Sequence, residues 1–197
     1  MPFLDRDEIA RSLTGAWRVF LDKPDASQFF DLSVEGFWRS FRAFGLMIPF
    51  YGLMAAAEYR ALIAANADVG ESAFILTKAV ASGIDWILFP MLLALIAEPL
   101  GITRSYASFV IARNWGSVLA SVPSVVVNLL YVLGIFDDDL TQIVSLIVLF
   151  VQLRYAYLIA SRTLGVGIGL AVAVVVGDFA VSQMIMTIAA GLAGLPF

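Results

Sequence analysis

The chain contains neither cysteine nor histidine. Without cysteine it can form no disulfide, iron–sulfur cluster or thiolate metal site, so sulfur chemistry gives no hint of the redox compartment. Without histidine, a Ser-His-Asp relay, a His-ligated haem or pigment, and the usual zinc sites cannot be assembled from its own side chains. Charge is also scarce. Only 14% of the 197 residues are Asp, Glu, Lys or Arg, against 61% hydrophobic, whereas soluble domains carry roughly 25% charged residues. With a mean hydropathy of +0.91, there is too little polar material to cover a water-facing surface. A soluble globule is excluded, and the formal net charge of −4 supplies no basic surface for nucleic acid.

What is present is a series of apolar runs. Five stretches, at about 38–61, 73–97, 106–132, 140–161 and 164–192, reach the roughly 20 residues that a helix needs to cross a bilayer. Polar segments at 66–70, 98–105, 134–139 and 161–165 separate them, and Pro49, Pro90 and Pro123 fall inside the first three, where kinks are expected. The expected fold is therefore all-α: an N-terminal segment, 1–37, followed by a five-span helical bundle, 38–197. The opening residues Asp5, Arg6, Asp7 and Glu8 do not read as a signal peptide, which begins with a basic stretch and an immediate apolar core.

Basic residues give an orientation. Arg6, Arg11, Arg18, Lys23, Arg39 and Arg42 precede or open the first span, and Arg104 and Arg162 lie in the second and fourth loops on the same side. The other side holds only Arg60 and Lys78. The positive-inside bias then places the N-terminus in the cytoplasm and the C-terminus outside. Residues 5–22 read as an amphipathic helix: Asp5 and Glu8 have capping-box spacing, and Ile9, Leu13, Ala16, Trp17 and Phe20 share a face. Such a helix either lies in the membrane interface or packs on the protein's own cytoplasmic loops. Lys23-Pro24 ends it, and Trp38 and Arg39 mark the headgroup level.

Charges inside hydrocarbon each cost about 2.5–3.5 kcal/mol on insertion scales, so those in the spans define the candidate site. Asp85 and Asp178 fall near mid-span, Arg113 and Arg154 in the cytoplasmic halves of spans three and four, and Lys78, Ser82 and Asp85 share a face. Asn114, Asn128, Gln152 and Gln183 are amides able to bridge helices. One reading makes Lys78, Asp85, Arg113, Asn114, Arg154 and Asp178 a transport path with the aspartates as proton or cation sites. The other pairs the two acids with the two arginines as structural ties, and the balanced numbers favour it. No internal repeat supports a transporter. An aspartyl intramembrane protease would need Gly-x-Gly-Asp, but Val175-Val176-Gly177-Asp178 lacks the first glycine, and Gly83-Ile84-Asp85-Trp86 lacks the accompanying tyrosine. No catalytic, cofactor-binding or metal-ligating residues are assigned.

Two further features stand out. Gly165, Gly169, Ala173 and Gly177 repeat every four residues, a smooth ridge of the kind that lets membrane helices approach closely, either within the monomer or between subunits. Asp137-Asp138-Asp139 opens the fourth span. The helix dipole accounts for these carboxylates, and a calcium site would require more oxygen ligands.

The run Phe29-Phe30-Asp31-Leu32-Ser33-Val34-Glu35-Gly36-Phe37-Trp38-Arg39-Ser40-Phe41 resembles the start of the first span in a family of small bacterial inner-membrane proteins of unassigned activity. Ala107-Ser108-Phe109-Val110-Ile111-Ala112-Arg113-Asn114-Trp115 and Ser161-Arg162-Thr163-Leu164-Gly165 are similar to further segments of it. The five-span layout is broadly similar to Yip-type membrane proteins. The resemblance implies a multi-pass topology in the bacterial inner membrane, and carries no substrate, cofactor or catalytic residue. The expected role is a non-enzymatic scaffold or accessory subunit of a membrane complex, with the lipid bilayer and a protein partner or second copy as its contacts. The alternative is a small oligomeric transporter or channel.

Overall fold

The computed structural model describes residues 5–194. Residues 1–4 and 195–197, the extremities of the two segments delineated from sequence, lie outside the described residues. Seven α-helices and one short 3-10 turn, Ala26–Phe29, make up the described chain, and it contains no strand: α1 Arg6–Phe20, α2 Val34–Ser40, α3 Ala43–Ala64, α4 Glu71–Ile96, α5 Tyr106–Val132, α6 Asp138–Leu164 and α7 Ile168–Leu192. Five helices are long and apolar enough to span a membrane, with α2 and α3 acting as one unit over Val34–Ala64. The first span thus begins four residues earlier than its hydropathy suggested. Ser33 explains the difference: its side chain accepts the Gly36 N–H, capping a helix that starts while the sequence is still polar.

The connections follow from local chemistry. Asp137 caps α6 by accepting the Leu140 N–H at 2.8 Å, so the acidic triplet serves the helix N-terminus. At the other end of α6, Gly165 adopts φ +66° in the left-handed region and ends the helix. Gly165 therefore does not belong to the α7 ridge on which the four-residue repeat placed it. The proline helices continue through Pro49, Pro90 and Pro123. The Tyr106 hydroxyl donates to the Pro90 carbonyl at 2.8 Å, and the Gln152 amide donates to the Ala120 carbonyl at 2.9 Å, beside the turn that Pro123 disturbs.

Helix α5 is the axis of the bundle. It packs against α3, α6, α1 and α2, while α4 lies against α3 and α7, and α7 returns along α6. Phe109, Val110, Ile111, Ala112, Trp115 and Val118 of α5 are all buried. Gly116 permits the close α5–α6 approach: an added Cβ would stand 2.6 Å from Ile159 Cδ1 and 3.1 Å from the Tyr155 hydroxyl. In α1 the buried face is Ser12, Gly15, Ala16 and Val19, set against α5 and α6, and Trp17 is 48% exposed. The reciprocal capping box does not form. Asp5 accepts from the Asp7 N–H instead, and Glu8 turns to Arg39 at 3.1 Å, a charged donor that outcompetes a neutral N–H.

Candidate functional site

At the middle of the bundle, α5 and α7 are joined by a bidentate ion pair. Arg113 Nε donates to Asp178 Oδ2 at 3.0 Å and its terminal nitrogen to Oδ1 at 2.7 Å, with the side chains only 12% and 25% exposed. Two parallel bonds from a planar guanidinium fix distance and rotation together, which is why arginine suits this position better than lysine would. The Phe89 ring of α4 covers the guanidinium, its centroid 5.7 Å from the arginine Cζ. Asp85, also on α4, lies near Ser182 of α7 and within electrostatic range of Arg113, Asp178 and Tyr51 of α3. Its Oδ1 is buried without a hydrogen-bond partner. The guanidinium of Arg113 is thus bonded to Asp178, with Asp85 of α4 and Tyr51 of α3 in its electrostatic surroundings. A cleft of about 80 Å³ between α5, α6 and α7 reaches the pair and is lined by Ser117, Gln152 and Tyr155 among others.

The remaining members of the sequence-derived set sit elsewhere. Arg154 meets neither aspartate: it is exposed, donates to the Phe20 carbonyl at 3.3 Å and stacks over the Phe20 ring. The C-terminal carbonyls of α1 carry the negative end of that helix's dipole, a partner that a reading confined to the spans does not contain. Lys78 is separate too. It pairs with Glu58 of α3 at 2.6 Å, while the seven-residue separation of Lys78 and Asp85 puts about 10 Å of helix rise between them. Both Glu58 and Lys78 lie six or seven residues from the helix ends that face each other across the α3–α4 loop. Equal depth in neighbouring antiparallel helices was the signal that could have found the pair. Asn114, wholly buried, donates to the Ser40 hydroxyl at 2.9 Å and ties α5 to α2. Gln152 ties α6 to α5, whereas Asn128 donates within its own helix, to the Ser124 carbonyl.

Helix α1 and the segment after it form a clasp on one end of the bundle. The Tyr155 hydroxyl donates to the Ala16 carbonyl at 2.7 Å in a buried contact, and Arg162 bonds both carboxylate oxygens of Asp22, through Nε and a terminal nitrogen, at 2.6 and 2.8 Å. Arg39 joins Glu8 and Asp31, and Arg18 joins Asp25. The arginine hydrogen bonds hold the Asp22 and Asp25 carboxyls below the usual carboxylate range, and the bonds from Ser33 do the same for Asp31.

Of the small-residue ridge, Gly177 faces Phe89, and an added Cβ would lie 3.5 Å from that ring. Gly169 and Ala173 are exposed, with nothing within 4 Å of a Cβ at Gly169. Compared with protein-family models, with curated proteins and with solved structures, the chain matches none.

Proposed function

We propose that this chain is a non-enzymatic integral membrane scaffold or accessory subunit, working through the outward face of α7. The observation that carries the reading is the contrast between two surfaces. The charged groups inside the bundle are largely engaged with one another, while α7 presents Gly169 and Ala173 to the outside, flanked by exposed Ile168, Val172 and Val176. A flat strip bordered by branched side chains suits close approach of another membrane helix, from a partner or a second copy. The basic bias of the α1 face and the short segments resembling inner-membrane proteins support a bacterial inner membrane with the N-terminus cytoplasmic and the C-terminus periplasmic. Half-exposed Trp17, beside a face that is packed on the bundle, supports α1 lying at the interface.

The test is native purification in mild detergent, with mass spectrometry of what stays bound, comparing wild type with Gly169→Leu. Because Gly169 borders open space in the monomer, leucine leaves the fold intact, and loss of a stoichiometric partner or of the oligomer is the expected result. Unchanged assembly removes α7 as the interface. One observation favours a second reading, a small oligomeric transporter: Arg113 faces two carboxylates and directly pairs with one. Unchanged proteoliposome fluxes across a broad substrate panel in both Asp85→Asn and Asp178→Asn would remove that reading.

A further inference from the structure

Arg154 stands where an arginine is costly. It lies ten residues before the end of α6 at Leu164, about 15 Å along the helix. Helix α6 has 27 residues, about 40 Å of rise against a hydrocarbon layer of about 30 Å. With the excess shared between its ends, the Arg154 backbone lies about 10 Å inside the hydrocarbon. The side chain is nonetheless exposed on the outside of the bundle. One N–H donates to the Phe20 carbonyl at 3.3 Å, a long bond, and no carboxylate among the described residues pairs with the guanidinium. Most of its donors are thus unfilled by protein, and a cation at membrane depth without a counter-ion draws one in.

Arg60 supplies the contrast. It too bonds a carbonyl, that of Val132, and stands over a ring, that of Tyr131. It lies only four residues from the end of α3 at Ala64, and Asp138 shares the surroundings of Tyr131 with it. Arg60 is therefore close to the polar loop and to an acid, and Arg154 is close to neither.

The seam around Arg154 is cationic. Asp22 lies in electrostatic range of Arg154, but Arg162 already holds both of its oxygens. Lys23 follows in the chain, exposed and without a side-chain acceptor among the described residues. Arg18 and Asp25 cancel as a pair. Arg154, Arg162 and Lys23 thus share one acid, Asp22, and the seam keeps an excess of positive charge. Beside it α1 turns small Ser12, Gly15 and Ala16 inward and leaves Trp17 and Leu21 about half exposed. Trp17 stacks on the same Phe20 ring that Arg154 covers, so an apolar flank adjoins the guanidinium. A phosphate matches the guanidinium fork, and acyl chains match the flank.

We propose that the seam between the end of α1 and α6 binds an anionic phospholipid, its phosphate held by Arg154 and drawn by Lys23, its chains along Trp17 and Leu21. A zwitterionic lipid offers the same phosphate, but the excess positive charge repels its ammonium. The inference rests on α1 lying at the membrane interface. It uses neither α7 nor the central ion pair.

The experiment takes the full chain from bilayers of equal phosphatidylglycerol and phosphatidylcholine and counts retained lipid by native mass spectrometry. Phosphatidylglycerol is expected to be retained roughly fivefold or more over phosphatidylcholine, about the worth of one well-placed cation. The preference falls to parity in Arg154→Gln, weakens in Lys23→Gln and persists in Arg60→Gln. Lys23 lies outside the helices, so its substitution leaves the fold in place and decides the matter if Arg154→Gln fails to assemble. Quenching by phosphatidylcholine brominated in its acyl chains, compared between wild type and Trp17→Phe, reports the position of α1 separately. Quenching at Trp17 without a headgroup preference overturns this inference and leaves the interfacial helix standing. No quenching at Trp17 overturns both. A preference unchanged in Arg154→Gln or Lys23→Gln, or lost equally in Arg60→Gln, overturns the seam as its origin.

Discussion

Replacing Asp85 and Asp178 by asparagine, singly and together, gives unequal and non-additive costs if the central cluster works as its geometry indicates. The pair between Arg113 and Asp178 has two bonds of 2.7 and 3.0 Å and a guanidinium only 12% exposed. Breaking a buried pair by removing one partner typically costs about 3–5 kcal/mol, because the remaining charge is left uncompensated. Here Asp85 supplies a second carboxylate in electrostatic range of Arg113, so part of the compensation survives Asp178→Asn and the cost falls to about 1–2 kcal/mol. Asp85→Asn has the opposite character. It removes a charge whose Oδ1 has no hydrogen-bond partner, so it is neutral or stabilising by up to about 1 kcal/mol. The double variant strips Arg113 of both neighbouring carboxylates and reaches the full 3–5 kcal/mol or so, about 3 kcal/mol beyond the sum of the single changes. Equilibrium unfolding by dodecyl sulfate in mixed micelles, followed by tryptophan fluorescence, measures all three. Additive costs, or an Asp85→Asn cost equal to that of Asp178→Asn, would refute the sharing of one guanidinium.

Other outcomes follow from the same contacts. Tyr155→Phe removes the hydroxyl donated to the buried Ala16 carbonyl, at a cost of about 1 kcal/mol, and faster hydrogen exchange in α1 than in α5 reports it. Gly116→Ala drives a Cβ to 2.6 Å from Ile159 and costs about 1–3 kcal/mol by overpacking. Gly169→Ala meets open space and gains up to about 1 kcal/mol of helix propensity, so the two glycines separate in one thermal melt. The Asp22 and Asp31 carboxyls are held below their unfolded range. Their contribution to the clasp is therefore fully present above about pH 4 and is lost as the pH falls through the lower folded-state value. Limited proteolysis of the segment 21–33 should accelerate only below that point, and acceleration between pH 5 and 7 would contradict it.

The layout was legible because it depends on one-dimensional quantities. Twenty or more apolar residues between polar loops impose a spanning helix whatever surrounds it, since backbone groups in hydrocarbon must bond internally. The central pair was half legible. Depth along each span put Arg113 and Asp178 at a common level, but depth carries no azimuth, so it also offered Arg154, which faces α1. The Lys78–Glu58 pair is hidden for a related reason: spacing along α4 puts Lys78 on a face with Asp85, and the acid at matching depth on α3 emerges only when depths are compared across the α3–α4 loop. Gly165 shows the limit of periodicity. The four-residue repeat runs unbroken across a helix end, and only the left-handed turn at φ +66° assigns that glycine to the α6 cap.

By itself, then, the sequence determined that the chain forms five helices long and apolar enough to span a membrane, because hydrophobic length and the cost of unbonded backbone are properties of the chain. Tertiary structure alone decided which charges meet, and that α1 packs back onto α5 and α6. Those outcomes depend on which way each helix is turned about its own axis, and that rotation is set by packing against neighbours rather than by any residue's own preference.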